Sequence, residues 1–261
     1  MTMGWGEMLS LIGRRADLLG AIVGKPAPKR DLVDELDVSR STVDRAVREL
    51  EAADLIERTN GEIAITMVGR LSFASYLKHG REIARVMEFS DVLEHLDSSA
   101  PLPHWFLLGS DLYRPEPPDV HRAHTRAKSE LEGADRIEGL TMAVTDPAVV
   151  DRFVTGVRDG TLEAELVMAG EVIEHLLETE GRHLKRPLED GGLALYEYDE
   201  IPFGMLVTDP NSPDARVLLF VYEDGYLVGV LRNRRRQAVD WARSLVRGIR
   251  DDAEPVEDVT V

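Results

Sequence analysis

Between residues 29 and 66 the apolar positions change their period twice. In KRDLVDEL, Leu32, Val33 and Leu36 fall on one face at helical spacing. Asp37-Val38 reads as a tight turn. Ser39 is placed to cap a second helix over 39–53, because its side-chain oxygen can accept from a free amide of the first turn. In that helix Val43, Ala46, Val47, Leu50 and Ala53 recur at i, i+3, i+4 and i+7 and must face a core. Arg40, Ser41, Thr42, Arg45 and Arg48 occupy the other side. Two β-type runs follow, 55–59 and 62–66, split by Asn60-Gly61, the pair that best tolerates the positive φ angles of a two-residue hairpin turn.

The same reading extends along the chain. The apolar set Met8, Leu9, Ile12, Leu18, Leu19 and Ile22 predicts one helix over 5–23, and Pro26 and Pro28 mark a linker. A long helix is expected from Thr66 to about Phe89, with Leu71, Ala74, Leu77, Ile83, Val86 and Met87 as its apolar positions. Four prolines crowd residues 101–117 around the island HWFLLG, where Trp105 and Phe106 are too apolar to leave wet. From Asp119 onward helices at 119–132, 147–158, 171–180 and 234–250 alternate with strands at 136–144, 162–168, 193–198, 203–208, 216–222 and 226–231. Asp146-Pro147 opens one helix, with proline at the first helical position. Glu223-Asp224-Gly225 turns the last hairpin, and the tail after residue 250 is expected to fray. The fold class is therefore α+β: an N-terminal winged helix-turn-helix domain with its trailing helix over 1–97, a boundary segment over 98–118, and a C-terminal α/β mixed-sheet effector or sensor domain over 119–261.

Charge changes the picture. The chain carries −17 overall, but residues 1–88 hold 13 Lys and Arg against 14 Asp and Glu, and the rest hold 18 against 34. The helix-turn-helix half is thus nearly neutral. With 26 Arg, 5 Lys and no Cys, the composition resembles that of proteins from halophilic archaea. In concentrated salt, counterion release contributes little to DNA affinity, so base-edge and shape contacts must carry more of it. The absence of Cys excludes disulfides and thiolate metal sites. No apolar run of membrane-spanning length and no signal-peptide pattern occurs, so a cytoplasmic location is expected.

The polar face of the second helix suits the major groove, where Arg can donate bidentately to guanine. The candidate DNA-binding set is Lys29 and Arg30 opening the first helix, Ser39, Arg40, Ser41, Thr42, Arg45 and Arg48 on the second, and Arg58, Thr59 and Asn60 at the hairpin. Winged helices also serve as protein-docking scaffolds, which is the alternative. The stretch resembles archaeal and bacterial regulators with a VSRSTVxRxxRELExxxLI motif, with Asp37 and Asp54 standing where those proteins often have Gly.

The second half, through RIEGLTMAVTDPAVVDRFVTGVRDGTLEAELVM, LYEYDEIPFGMLVTD and AVDWARSLVRGIR, resembles archaeal winged-helix regulators related to the methanogenesis regulatory protein of the Fil type. The resemblance implies a homodimeric transcription regulator whose partner is double-stranded DNA, with a sensor-like C-terminal domain. It brings no ligand, cofactor or metal. Candidate effector-binding residues read from the sequence are Glu171, His175, Tyr196, Tyr198 and Arg232. One enzymatic alternative remains. His183-x-Lys185 with Asp190 has the spacing of phospholipase D-like phosphodiesterases, in which histidine attacks phosphorus. Pro187 interrupts the strand such a motif needs, only one copy is present, and the later Gly-Ser-x-x-Asn element is missing. His121 and His124 lack a third metal ligand, and no phosphate-binding or dinucleotide fingerprint occurs.

Overall fold

The computed structural model describes residues 4–117, 119, 121–143 and 147–256. The expected strand end at Val144, the Asp146 start of the next helix and the frayed tail at 257–261 lie outside the described residues. The chain forms two compact units, which divide between Ala84 and Arg85.

In the first unit α1 (Trp5–Arg14) and α2 (Ala16–Val23) stand where the periodicity predicts one helix. The division falls at Arg15, whose N–H is shared between the carbonyls of Leu11 and Ile12 and whose guanidinium reaches Glu49. Then come β1 (Ala27–Pro28), α3 (Lys29–Leu36), α4 (Arg40–Ala52), β2 (Ile56–Thr59), β3 (Glu62–Ile65) and α5 (Met67–Glu88). The three short strands pair in the order β1-β3-β2, all antiparallel. Leu19, Ile22, Leu32, Val47, Leu50 and Leu55 are fully enclosed in the core.

The turns follow from local chemistry. Asp37, Asp54 and Asn60 all adopt left-handed φ angles of 50°, 57° and 53°, which Asp and Asn tolerate better than most residues. Asn60 and Gly61 together make the hairpin turn between paired Thr59 and Glu62. Thr66 caps α5: its hydroxyl accepts from Gly69 N–H at 2.9 Å. The buried face of α5 differs from the expected one. Gly69 and Phe73 are buried, with Tyr76 packed beside them, whereas Leu71, Leu77, Ile83 and Met87 are exposed. The close seat of Gly69 on the Leu55 carbonyl decides which face turns inward, and side-chain hydrophobicity alone does not carry that information.

The second unit begins with the end of α5, then α6 (Ser90–Leu93), α7 (His104–Leu107), β4 (Ser110–Tyr113), α8 (Arg122–Leu131), β5 (Arg136–Thr141), α9 (Pro147–Arg158) and β6 (Glu163–Met168). It continues through α10 (Gly170–Asp190), β7 (Leu193–Glu197), β8 (Gly204–Thr208), β9 (Arg216–Glu223), β10 (Tyr226–Asn233), α11 (Arg236–Asp251) and β11 (Glu254–Pro255). Its eight-stranded sheet runs β11-β7-β6-β5-β8-β9-β10-β4. Strands β5, β6 and β7 are parallel, and the remaining pairs are antiparallel. Residues 98–118 contain α7 and β4, and Phe106 is fully buried 5.1 Å from the Trp241 ring. One face of the sheet carries α11 through Ala238, Val239, Ala242 and Val246. The helices α9 and α10 cover strands β5 to β7 from another apolar cluster, and α8 covers Leu218, Leu227 and Val230.

Candidate nucleic-acid interface

The helix α4 is held by its apolar side and presents its polar side outward. Val43, Ala46, Val47 and Leu50 are buried, while Arg40, Ser41, Thr42, Arg45 and Arg48 are all exposed. Ser39 is the N-cap: its hydroxyl accepts from Thr42 N–H at 3.2 Å and lies 2.8 Å from both the Ser41 and Thr42 hydroxyls. The first-turn hydroxyls are thereby tied to one another.

Several cations of this face are paired within the protein, which the sequence spacing does not reveal. Lys29 Nζ lies 2.6 Å from Asp44, and that hydrogen bond holds the Asp44 carboxyl below its ordinary range. Arg45 bonds Glu49 at 2.9 Å, and Arg15 reaches the same carboxylate; both hydrogen bonds lower the Glu49 pKa, Arg45 contributing the most. At the hairpin, Arg58 bonds Glu51 in bidentate fashion at 2.6 and 3.0 Å, which raises the Arg58 pKa. Arg30 meets only its neighbour Asp31 at 3.1 Å, and Arg48 donates to the Asp44 carbonyl at 3.3 Å. Thr59 and Asn60 are exposed at the hairpin tip. The eleven candidates thus gather on α3, α4 and the hairpin of one unit, as an outward surface of alternating charge.

The five effector candidates do not gather. Glu171 and His175 are exposed one turn apart on α10. Tyr196 and Tyr198 pack against the apolar cluster of α11, while α10 belongs to the cluster with Leu193 and Leu195. Arg232 is held between Asp111 and Glu130, with the latter at 2.5 Å. The neighbouring arginines are also paired: Arg234 with Glu130 at 3.4 Å and Arg236 with Asp240 at 2.9 Å.

The phosphodiesterase spacing is corrected by the fold. His183, Lys185 and Asp190 lie in α10, which runs on past the expected end at 180. Leu184 and Pro187 keep this segment helical by being buried on the core side, and Gly191 ends it at φ 80°. His183 and Lys185 are exposed, and at about 100° per residue they point to different sides of the helix, whereas a strand would align them. Asp190 pairs with Arg186 at 3.0 Å. Among the described residues no group of three or more His, Asp or Glu could hold a metal ion, and no helix is long and apolar enough to cross a membrane.

The described residues thus place an outward polar helix in the first unit and a mixed sheet in the second. The chain belongs to the family of the methanogenesis regulatory protein FilR1, whose middle-domain model matches residues 120–252. A second model, the HVO_A0261 N-terminal domain, matches residues 6–88. No curated protein matches the chain. Among solved structures, TrmBL2, described as an archaeal chromatin protein with a novel mode of DNA binding, is 12% identical, covers 97% of this chain and 100% of its own, and gives a TM-score of 0.45. Nuc of Salmonella typhimurium, a phospholipase D family member, is 10% identical over 57% of this chain and 98% of its own, at a TM-score of 0.40. NucT from Helicobacter pylori is 11% identical over 56% and 98%, also at 0.40. At such TM-scores none of the three bears on what this chain does.

Proposed function

We propose that the protein is a transcription regulator that reads double-stranded DNA with a winged helix-turn-helix, α4 lying in the major groove and the β2–β3 hairpin on the flanking backbone. The observation that carries this reading is the division of α4 into a buried apolar side and an exposed side bearing Arg40, Ser41, Arg45 and Arg48. Family membership supports a regulatory role. The second unit would sense a small molecule, hold a homodimer, or both. In the first unit, exposed Met67, Val68 and Leu71 on α5, at 68%, 56% and 62%, form an apolar surface that also suits a homodimer contact.

The test replaces Arg45 and Arg48 by Ala together. Operator fragments are enriched from a random duplex library at molar salt, and affinity is read by fluorescence anisotropy. Sequence-specific affinity is expected to fall about 5- to 150-fold for each base that the variant no longer reads, from the ~1–3 kcal/mol that a bidentate pair contributes. The helical signal should be unchanged, because both side chains are exposed. Unchanged binding by the folded double variant would leave the protein-docking scaffold as the better reading.

The internal ion pairs predict an effect of opposite sign. In Glu51→Gln, Arg58 loses its carboxylate partner and is free for phosphate. DNA affinity at low salt should rise, and the slope of log affinity against log salt should steepen by about 0.9 for one added phosphate contact. A slope equal to that of the unaltered chain would remove Arg58 from the interface.

A further inference from the structure

The second unit contains a cavity of about 570 Å³, entirely built from its own residues. This is within the range of small-molecule sites, about 300–1,000 Å³. The cavity lies under α8 and α9 against the sheet. Its walls are apolar: Leu131 of α8, Phe153 of α9, Leu166 and Met168 of β6, Leu206 of β8 and Phe220 of β9. Gly204 contributes to the floor by lacking a side chain; a Cβ there would stand 3.3 Å from Phe220.

Two further observations point to an occupant. His124 lines the cavity, and among the described residues its Nδ1, which is shielded from solvent, has no hydrogen-bond partner. Buried polar atoms in folded proteins are nearly always partnered, so this orphan beside the cavity is a place where a ligand group would be satisfied once the imidazole turns toward it. The charged residues of the lining are balanced. Lys128, one helical turn after His124, and Arg152 are matched by Asp135 and Asp151. No single sign of charge is favoured, so the apolar walls and the orphan imidazole nitrogen define the ligand.

We propose that this cavity is the effector site, and that it takes a small, uncharged, mostly apolar molecule with one hydrogen-bonding group that meets His124 Nδ1. The assignment of an effector role rests on the regulator reading; the assignment of a binding site does not. None of the sequence candidates Glu171, His175, Tyr196, Tyr198 or Arg232 lines the cavity.

The experiment titrates N-phenyl-1-naphthylamine, an uncharged fluorescent probe with one N–H, into the full chain, with the anionic probe 8-anilinonaphthalene-1-sulfonate in parallel. One saturable site per chain is expected for the uncharged probe, with weaker binding of the anion. Leu206→Trp, which fills the cavity from a half-buried position, should abolish that site. His124→Leu should leave the melting temperature of the empty protein unchanged or raised, because it removes an unpartnered buried atom. It should also weaken the uncharged probe about 3- to 10-fold, the effect of removing one hydrogen bond. Absence of saturable binding, equal binding by a folded Leu206→Trp chain, or preference for the anionic probe would each overturn the proposal. The Arg45→Ala/Arg48→Ala chain should bind the probe as the unaltered protein does, so a failure of DNA recognition and a failure of the cavity are read separately.

Discussion

Gly69→Ala is expected to destabilise the N-terminal unit by about 3 kcal/mol or more, the upper range for forcing extra volume into a packed site. A Cβ at this position would stand 1.9 Å from the Leu55 carbonyl oxygen and 2.8 Å from its carbon. Neither atom can yield freely. The same carbonyl accepts from Thr66 N–H at 3.0 Å, and Thr66 in turn bonds the Asp54 carbonyl at 2.7 Å and caps α5 through Gly69 N–H. Moving α5 away breaks the joint between the helix and the hairpin that carries Arg58, Thr59 and Asn60. In chemical denaturation the transition of the first unit should shift while that of the second stays. Gly80→Ala is the control. It lies in the same helix with nothing within 4 Å of its missing Cβ, and it should stabilise by roughly 0.5–1 kcal/mol. If Gly69→Ala left both transitions in place, the close seat of α5 on Leu55 would not be what fixes this helix.

Which parts of this architecture were legible in the sequence follows the range of the interactions. The turn at Asp37, the Ser39 cap and the Asn60-Gly61 hairpin were legible because each is set by residues within four positions of one another. The buried side of α4 was equally so: Val43, Ala46, Val47 and Leu50 are buried at one period, while Ala53 falls just past the helix and is half-buried. The buried side of α5 was not, because the contact of Gly69 with Leu55 comes from tertiary packing and leaves no apolar signature. The sequence periodicity ends this helix at 180, but α10 runs to Asp190 and accommodates Pro187 on its buried side. Type and spacing single out the candidate interface residues, but not their ion-pair partners. Asp44, Glu49 and Glu51 sit on α4, and neither their type nor their spacing tells that Lys29 of α3 and Arg58 of β2 reach two of them. The cavity had the weakest signal of all. Its lining comes from positions as far apart as His124 and Leu227, so only the sheet order brings it together. The one local hint, His124, Ala127, Lys128 and Leu131 at i, i+3, i+4 and i+7, is a face that mixes polar and apolar residues.

The acidic excess of the second unit carries a stability prediction of comparable size. Glu138 on β5 is buried and receives Arg243 of α11 through two bonds at 3.0 and 3.2 Å, with Arg136 at 3.2 Å. Arg243 is itself mostly covered, and its other bonds go to Asn211 at 3.1 Å and the Pro210 carbonyl at 3.5 Å. This guanidinium therefore ties the last helix to the sheet and to the turn after β8. Removing one partner of a buried pair leaves an uncompensated charge, which costs about 3–5 kcal/mol, whereas replacing both with apolar residues is often neutral. Glu138→Leu should accordingly lower the stability of the second unit by about that much. The double variant Glu138→Leu/Arg243→Leu should recover most of the loss, giving a large coupling term in the double-mutant cycle. DNA affinity of the folded fraction should not change, because the pair lies outside the first unit. Equal stability of the single and double variants would mean that Arg243 finds water or another carboxylate when Glu138 is gone, and that the clamp between α11 and β5 is apolar packing through Ala238, Val239, Ala242 and Val246 alone.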